Sequence, residues 1–184
     1  TMSADEELSG ILAMLEALNR SLALYPEGFP AQFRNGAGDG GLCFLLVAHI
    51  DSSYGVVGCT YESLDWQYIA LDVRPTYSLD SIICHEIWHA TENHIRSRDD
   101  TALPMDEWDA LNPEGFSYYG DATKTDPAQQ WILYSGSPED IHFVDSYACV
   151  ARTEDRARIM EYFMTHEDEA QILIQSPFIR QKLQ

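Results

Sequence analysis

The chain has 184 residues, 45% of them apolar and 11% aromatic. That is enough to bury a sizeable core, and it excludes a disordered chain or a disulfide-stapled miniprotein. Thirty acidic against eleven basic residues give a formal charge of −19, which repels nucleic acid and anionic lipid, and no apolar run approaches a membrane span, so neither nucleic-acid binding nor direct membrane insertion is expected.

The opening Thr1-Met2-Ser3-Ala4-Asp5-Glu6-Glu7 has neither the basic nor the apolar region of a signal peptide. Export stays open, because a first residue other than Met suggests that a targeting segment or upstream domain has been removed. Within residues 1–24, Leu8, Ile11, Leu12, Leu15, Leu18 and Leu22 recur at three- and four-residue spacing behind an acidic first turn, which predicts an amphipathic helix. Tyr25-Pro26-Glu27-Gly28 ends it, and the Gly-rich residues 35–41 read as a loop. Residues 42–50, 56–61 and 68–73 are short β-branched and aromatic runs, which predict a small, mostly antiparallel sheet.

A helix follows directly, capped by Ser78 or Asp80, with Ile82, Ile83, Ile87 and Trp88 facing the core around Cys84. Residues 98–137, rich in Pro, Gly, Asp and aromatics, predict a long irregular insert of the kind that is often functional. Two further helices are expected over residues 152–166 and 167–183. Four cysteines (Cys43, Cys59, Cys84 and Cys149) form no paired metal knuckle; a Cys43–Cys59 bridge is open if their two strands are neighbours.

The chemistry lies in His85-Glu86-Ile87-Trp88-His89. Histidines four residues apart on a helix project from one face and can bind one zinc ion together. Glu86, about 100° round the helix from His85, can take a proton from a metal-activated water and pass it to a leaving amine. A catalytic zinc takes a third protein ligand as well. His94 points about 180° away from His85 on the same helix and reads as a surface or core residue. His142, Asp145 and Glu154 remain candidates, Glu154 being also a residue that a helix N-terminus favours for its charge.

The segment 146–157, Ser-Tyr-Ala-Cys-Val-Ala-Arg-Thr-Glu-Asp-Arg-Ala, resembles the region after HExxH in gluzincin peptidases similar to the anthrax lethal factor catalytic domain. There a tyrosine precedes the ligand glutamate by seven residues, as Tyr147 precedes Glu154, and Ala157 matches a small residue packed near the metal helix. Trp108 and the turn Leu111-Asn112-Pro113-Glu114-Gly115-Phe116 look like an insert common in bacterial zinc-binding lipoproteins of that group. The resemblance covers roughly residues 78–164. Where the family often has Phe-Ala-Glu after the ligand, this chain has Arg156-Ala157-Arg158, so that Asp155 is the acid left to support a histidine ring.

The resemblance implies an α+β, zincin-like single domain over residues 1–184, with the sheet packed on the HExxH helix and C-terminal helices completing the site. It implies one Zn2+ per chain held by His85, His89 and Glu154, with Glu86 as general base. Tyr147 would donate a hydrogen bond to the oxyanion, and the partner would be a peptide or protein substrate. A secreted or lipid-anchored bacterial protein is expected on the same ground. The alternative is a catalytically idle binding or surface module that keeps the fold and the zinc. Trp66, Tyr68, Tyr118, Tyr119 and Trp131 are expected mostly in the core, with a substrate cleft as their other use.

Overall fold

In the computed structural model, which describes residues 3–51, 55–74, 78–120 and 129–184, Ser3 opens helix α1 (Ala4–Leu22) with a reciprocal cap. Its hydroxyl accepts the Glu6 N–H, and the Glu6 carboxylate accepts the Ser3 N–H at 2.8 Å. The helix is amphipathic as expected, but the face it buries is Gly10, Met14, Ala17, Leu18 and Ser21. Leu8, Leu12 and Leu15 are half exposed. Small residues decide this: at Gly10 a Cβ would stand 2.3 Å from the Val73 carbonyl oxygen, so the helix can lie against that backbone only through a glycine.

The strands β1 (Gly41–Val47), β2 (Gly58–Ser63) and β3 (Trp66–Asp72) form one sheet in the order β1-β3-β2. β2 and β3 are an antiparallel hairpin whose two loop residues, Leu64 and Asp65, both have positive φ, the requirement of a tight primed turn. β1 runs parallel to β3, so only one of the two pairings matches the expectation of a mostly antiparallel sheet. With β3 between them, Cys43 and Cys59 are two strand spacings apart, at least about 9–10 Å, and pair with β3 residues two positions apart, beyond the reach of a disulfide. All four cysteines are free thiols.

One face of β3, carrying Gln67, Ile69 and Leu71, is buried. It contributes to a core with Met14, Ala17 and Leu18 of α1, Phe33, and Ile83, Ile87 and Ala90 of helix α2 (Leu79–Arg98). Cys84 is buried too, while Ile82 and Trp88 are half-buried. A two-pronged ion pair from Arg20 to Asp80 ties α1 to the start of α2. No helix among the described residues is long and apolar enough to cross a membrane.

Contacts divide the chain into two compact units, Thr1–Asp99 and Asp100–Gln184. The second contains α3 (Met105–Asp109), α4 (Arg152–Thr165), α5 (Glu167–Leu173) and α6 (Pro177–Lys182). The described part of the expected insert includes α3 and one short 3-10 turn, Gln129–Trp131, and residues 121–128 of it lie outside the described residues. The single last helix expected over 167–183 is broken in two. Ser176 accepts the N–H groups of Phe178 and Ile179, and Pro177 occupies the first position of α6. Leu133, Ile141, Val144, Ile159, Leu173 and Ile179 form one core of this unit. Phe143, Ala148 and Cys149 form another, with Phe116, Tyr118, Tyr119 and Trp131 packed against it. The last three of these aromatics are half-buried against that cluster, whereas Trp66 is 39% exposed on the sheet. The fold is thus mixed α+β, with six α-helices and one three-stranded sheet among the described residues.

Candidate metal centre

Helix α2 turns Ile83, Ile87 and Ala90 into the first unit's core and carries His85 and His89 one turn apart beside them. The two imidazoles meet nearly edge to face, at an interplanar angle of 81°, and their Nε2 atoms are 3.1 Å apart. Two nitrogens bound to one tetrahedral zinc stand about 3.3 Å apart, for bonds of about 2.05 Å. The pair thus fits a shared cation by spacing as well as by donor type. His85 is buried and His89 half-buried, so neither ring is a mobile surface group.

Glu86 is only 7% exposed and is held by strand β2. Thr60 Oγ1 lies 2.7 Å from its Oε2 and 3.1 Å from its backbone carbonyl oxygen. A Cβ on Gly58 would fall 2.6 Å from Oε1 and 2.7 Å from Cγ of Glu86. Neither Gly58 nor Thr60 was identified from sequence. No motif marks them, and only the pairing of β2 beside α2 brings them to the glutamate. Burial, and after it the charge of Glu86, pushes the Cys59 thiol up, so this cysteine stays protonated near neutral pH. His94 packs its ring against Phe33 with centroids 5.1 Å apart, and burial lowers its pKa: it is a packing residue.

In the second unit, Glu154 lies in the first turn of α4 and is half-buried. Tyr147, seven residues before it, is 42% exposed in the turn that leads to α4. The other candidates have structural roles. His142 Nδ1 donates to the Leu111 carbonyl at 2.9 Å, and the ring stacks on Phe178 at 3.7 Å. Asp145 accepts the Ala148 N–H with one oxygen and pairs through the other with Arg158, which also pairs with Glu161. Asp155, expected to support a histidine, instead holds a lysine. Its Oδ2 accepts from Lys182 Nζ (2.7 Å), Tyr118 OH (2.8 Å) and Trp108 Nε1 (2.9 Å), in a site without solvent exposure. Arg156 is buried with its guanidinium over the Trp108 ring.

No family model, curated protein or solved structure matches this chain.

Proposed function

We propose that the protein is a zinc-dependent metallopeptidase of the HExxH gluzincin type, with a zincin-like architecture. The observation that carries this reading is the 3.1 Å approach of His85 Nε2 to His89 Nε2, with the buried Glu86 between them in sequence. His85 and His89 are two of the donors such a centre needs, and Glu154 is proposed as the third. Two imidazoles and a carboxylate suit zinc and leave a coordination position for water or substrate.

A zinc ion held there would supply Lewis-acid chemistry, making a water more acidic and polarising a carbonyl. Glu86 takes the proton of a water that attacks the peptide carbonyl and returns it to the departing amine. Tyr147 donates a hydrogen bond to the carbonyl oxygen as negative charge builds on it, worth a few kcal/mol in a water-poor cleft. Asp145 and His142 are held by other partners in their own unit, which speaks against either as the third ligand.

Elemental analysis and proteolysis test this together. The expected stoichiometry is about one zinc per chain, lost in the His85→Ala, His89→Ala double variant and sharply weakened in Glu154→Ala. Glu86→Gln should keep the zinc and lower cleavage of a random peptide library about 10²- to 10⁴-fold. Full zinc occupancy in the double-histidine variant would refute the metal centre. Zinc bound without cleavage by the wild type would favour the idle zincin-fold module.

A further inference from the structure

On its own helix Glu86 has Ile82, Ile83 and Ala90 three or four residues away, none of which can orient a carboxylate, and His89, which belongs to the proposed metal pair. Its orientation comes from β2. This strand alternates its side chains, so Gly58 and Thr60 share the face opposite to Cys59. Thr60 reaches one carboxylate oxygen, and Gly58 gives the other oxygen and Cγ the space that a side chain would occupy.

From this geometry we infer that Thr60 and Gly58 are positioning residues for Glu86, the threonine hydroxyl fixing one carboxylate oxygen while the missing Cβ of Gly58 leaves room for the other. The inference rests on Glu86 being the general base of the proposed reaction. Thr60 Oγ1 is within hydrogen-bond distance of both Oε2 and the Glu86 carbonyl oxygen. A hydroxyl so placed serves either form of the base. It donates to the carboxylate, and, turned toward the carbonyl, it accepts from the carboxylic acid that exists after the proton has been taken. Valine at position 60 keeps the shape and the strand preference of threonine and removes both options.

Gly58 has no positive φ, so alanine fits its backbone. The strain of Gly58→Ala falls on the end of the Glu86 side chain, which has to move away from the new methyl.

The test uses the full chain loaded with zinc, as wild type, Thr60→Val, Thr60→Ser and Gly58→Ala. Crystal structures read the position of the Glu86 carboxylate, elemental analysis reads zinc, and steady-state kinetics are measured on a peptide that the wild type cleaves from a random library. The expected result is unchanged zinc in all four proteins. The carboxylate should be displaced in Thr60→Val and Gly58→Ala and restored in Thr60→Ser. kcat should fall about 10- to 100-fold in the two displaced variants with KM nearly unchanged, the size of effect expected when a reacting group is misplaced by about an ångström. A Glu86 carboxylate that stays in its wild-type place in both variants would overturn the inference, as would a kcat equal to the wild type's or a serine variant no better than valine. If the zinc-loaded wild type cleaves no peptide, the peptidase reading fails by itself. The crystal structures then still decide whether β2 positions Glu86.

Discussion

Replacing Lys182 by methionine should expose how the second unit balances its buried charge. Lys182 Nζ bonds Asp155 Oδ2 at 2.7 Å and the His142 carbonyl oxygen at 2.9 Å, and both side chains of the ion pair have no solvent exposure. The ammonium also lies over the rings of Phe143 and Trp108. Burial holds the lysine pKa below its ordinary value, and the Asp155 charge works against that shift. Methionine keeps the length and the apolar stem but leaves a buried carboxylate with only the Tyr118 and Trp108 donors. Breaking a buried pair in this way costs about 3–5 kcal/mol. The cost has a ceiling, because the carboxyl can fold protonated. Protonating an ordinary carboxyl of pKa about 3.9 at pH 7 costs about 4 kcal/mol, at about 1.4 kcal/mol per pH unit.

The two figures agree, and the second gives a sign. A carboxyl whose pKa is raised on folding is least destabilising below its unfolded pKa and most destabilising at neutral pH. The Lys182→Met deficit should therefore shrink to about 1–2 kcal/mol at pH 5. At about 2–4 °C per kcal/mol for a chain of this length, a 3–5 kcal/mol loss lowers the melting temperature by about 6–20 °C at pH 7. Denaturant and thermal melts followed by circular dichroism at both pH values measure this. The Asp155→Asn, Lys182→Met double variant keeps an oxygen acceptor for Tyr118 and Trp108 without the charge, and should recover most of the loss. A deficit under about 1 kcal/mol at pH 7, or one that does not shrink at pH 5, would refute the reasoning.

Two other perturbations probe the first unit. Burial tends to raise the pKa of Asp72, but the Arg74 guanidinium, the N–H groups of Ile50 and Arg74, and His49 outweigh it and hold the carboxyl well below the usual range. A depressed folded pKa gives stability that is present above the unfolded value and is lost as the pH falls through the folded one. Asp72→Asn should therefore be less stable than wild type near neutral pH and lose less on acidification from pH 5 to pH 2; parallel pH profiles in denaturant melts would count against the assignment. Gly10→Ala, which on an open helix stabilises by about 0.5–1 kcal/mol, should here destabilise by about 1–3 kcal/mol, because the new methyl meets the Val73 carbonyl backbone. A higher melting temperature for this variant would mean that α1 can move aside at little cost.

The elements themselves were largely legible in the sequence, because periodicity and end signals are local. The 3.6-residue rhythm located α1, α2 and α4, and the i, i+4 spacing of His85 and His89 put both rings on one helical face. Other features depended on which surfaces meet. The leucines of α1 mark an apolar stripe, yet the helix packs through Gly10, Met14, Ala17 and Leu18, since at position 10 only a glycine admits the backbone of Val73. Nothing in the Leu64-Asp65 loop announces a hairpin, and the parallel pairing of β1 with β3 depends on how the chain returns after β2. That order separates Cys43 from Cys59. Asp155 was expected to support a histidine ring, but its partner is Lys182, 27 residues away, because two charges can be buried only where the fold brings them together. For the same reason sequence could propose Glu86 as a base but not its supports. The contacts that orient a side chain come from whichever element packs beside it, here Gly58 and Thr60 of a strand that ends 23 residues before the glutamate.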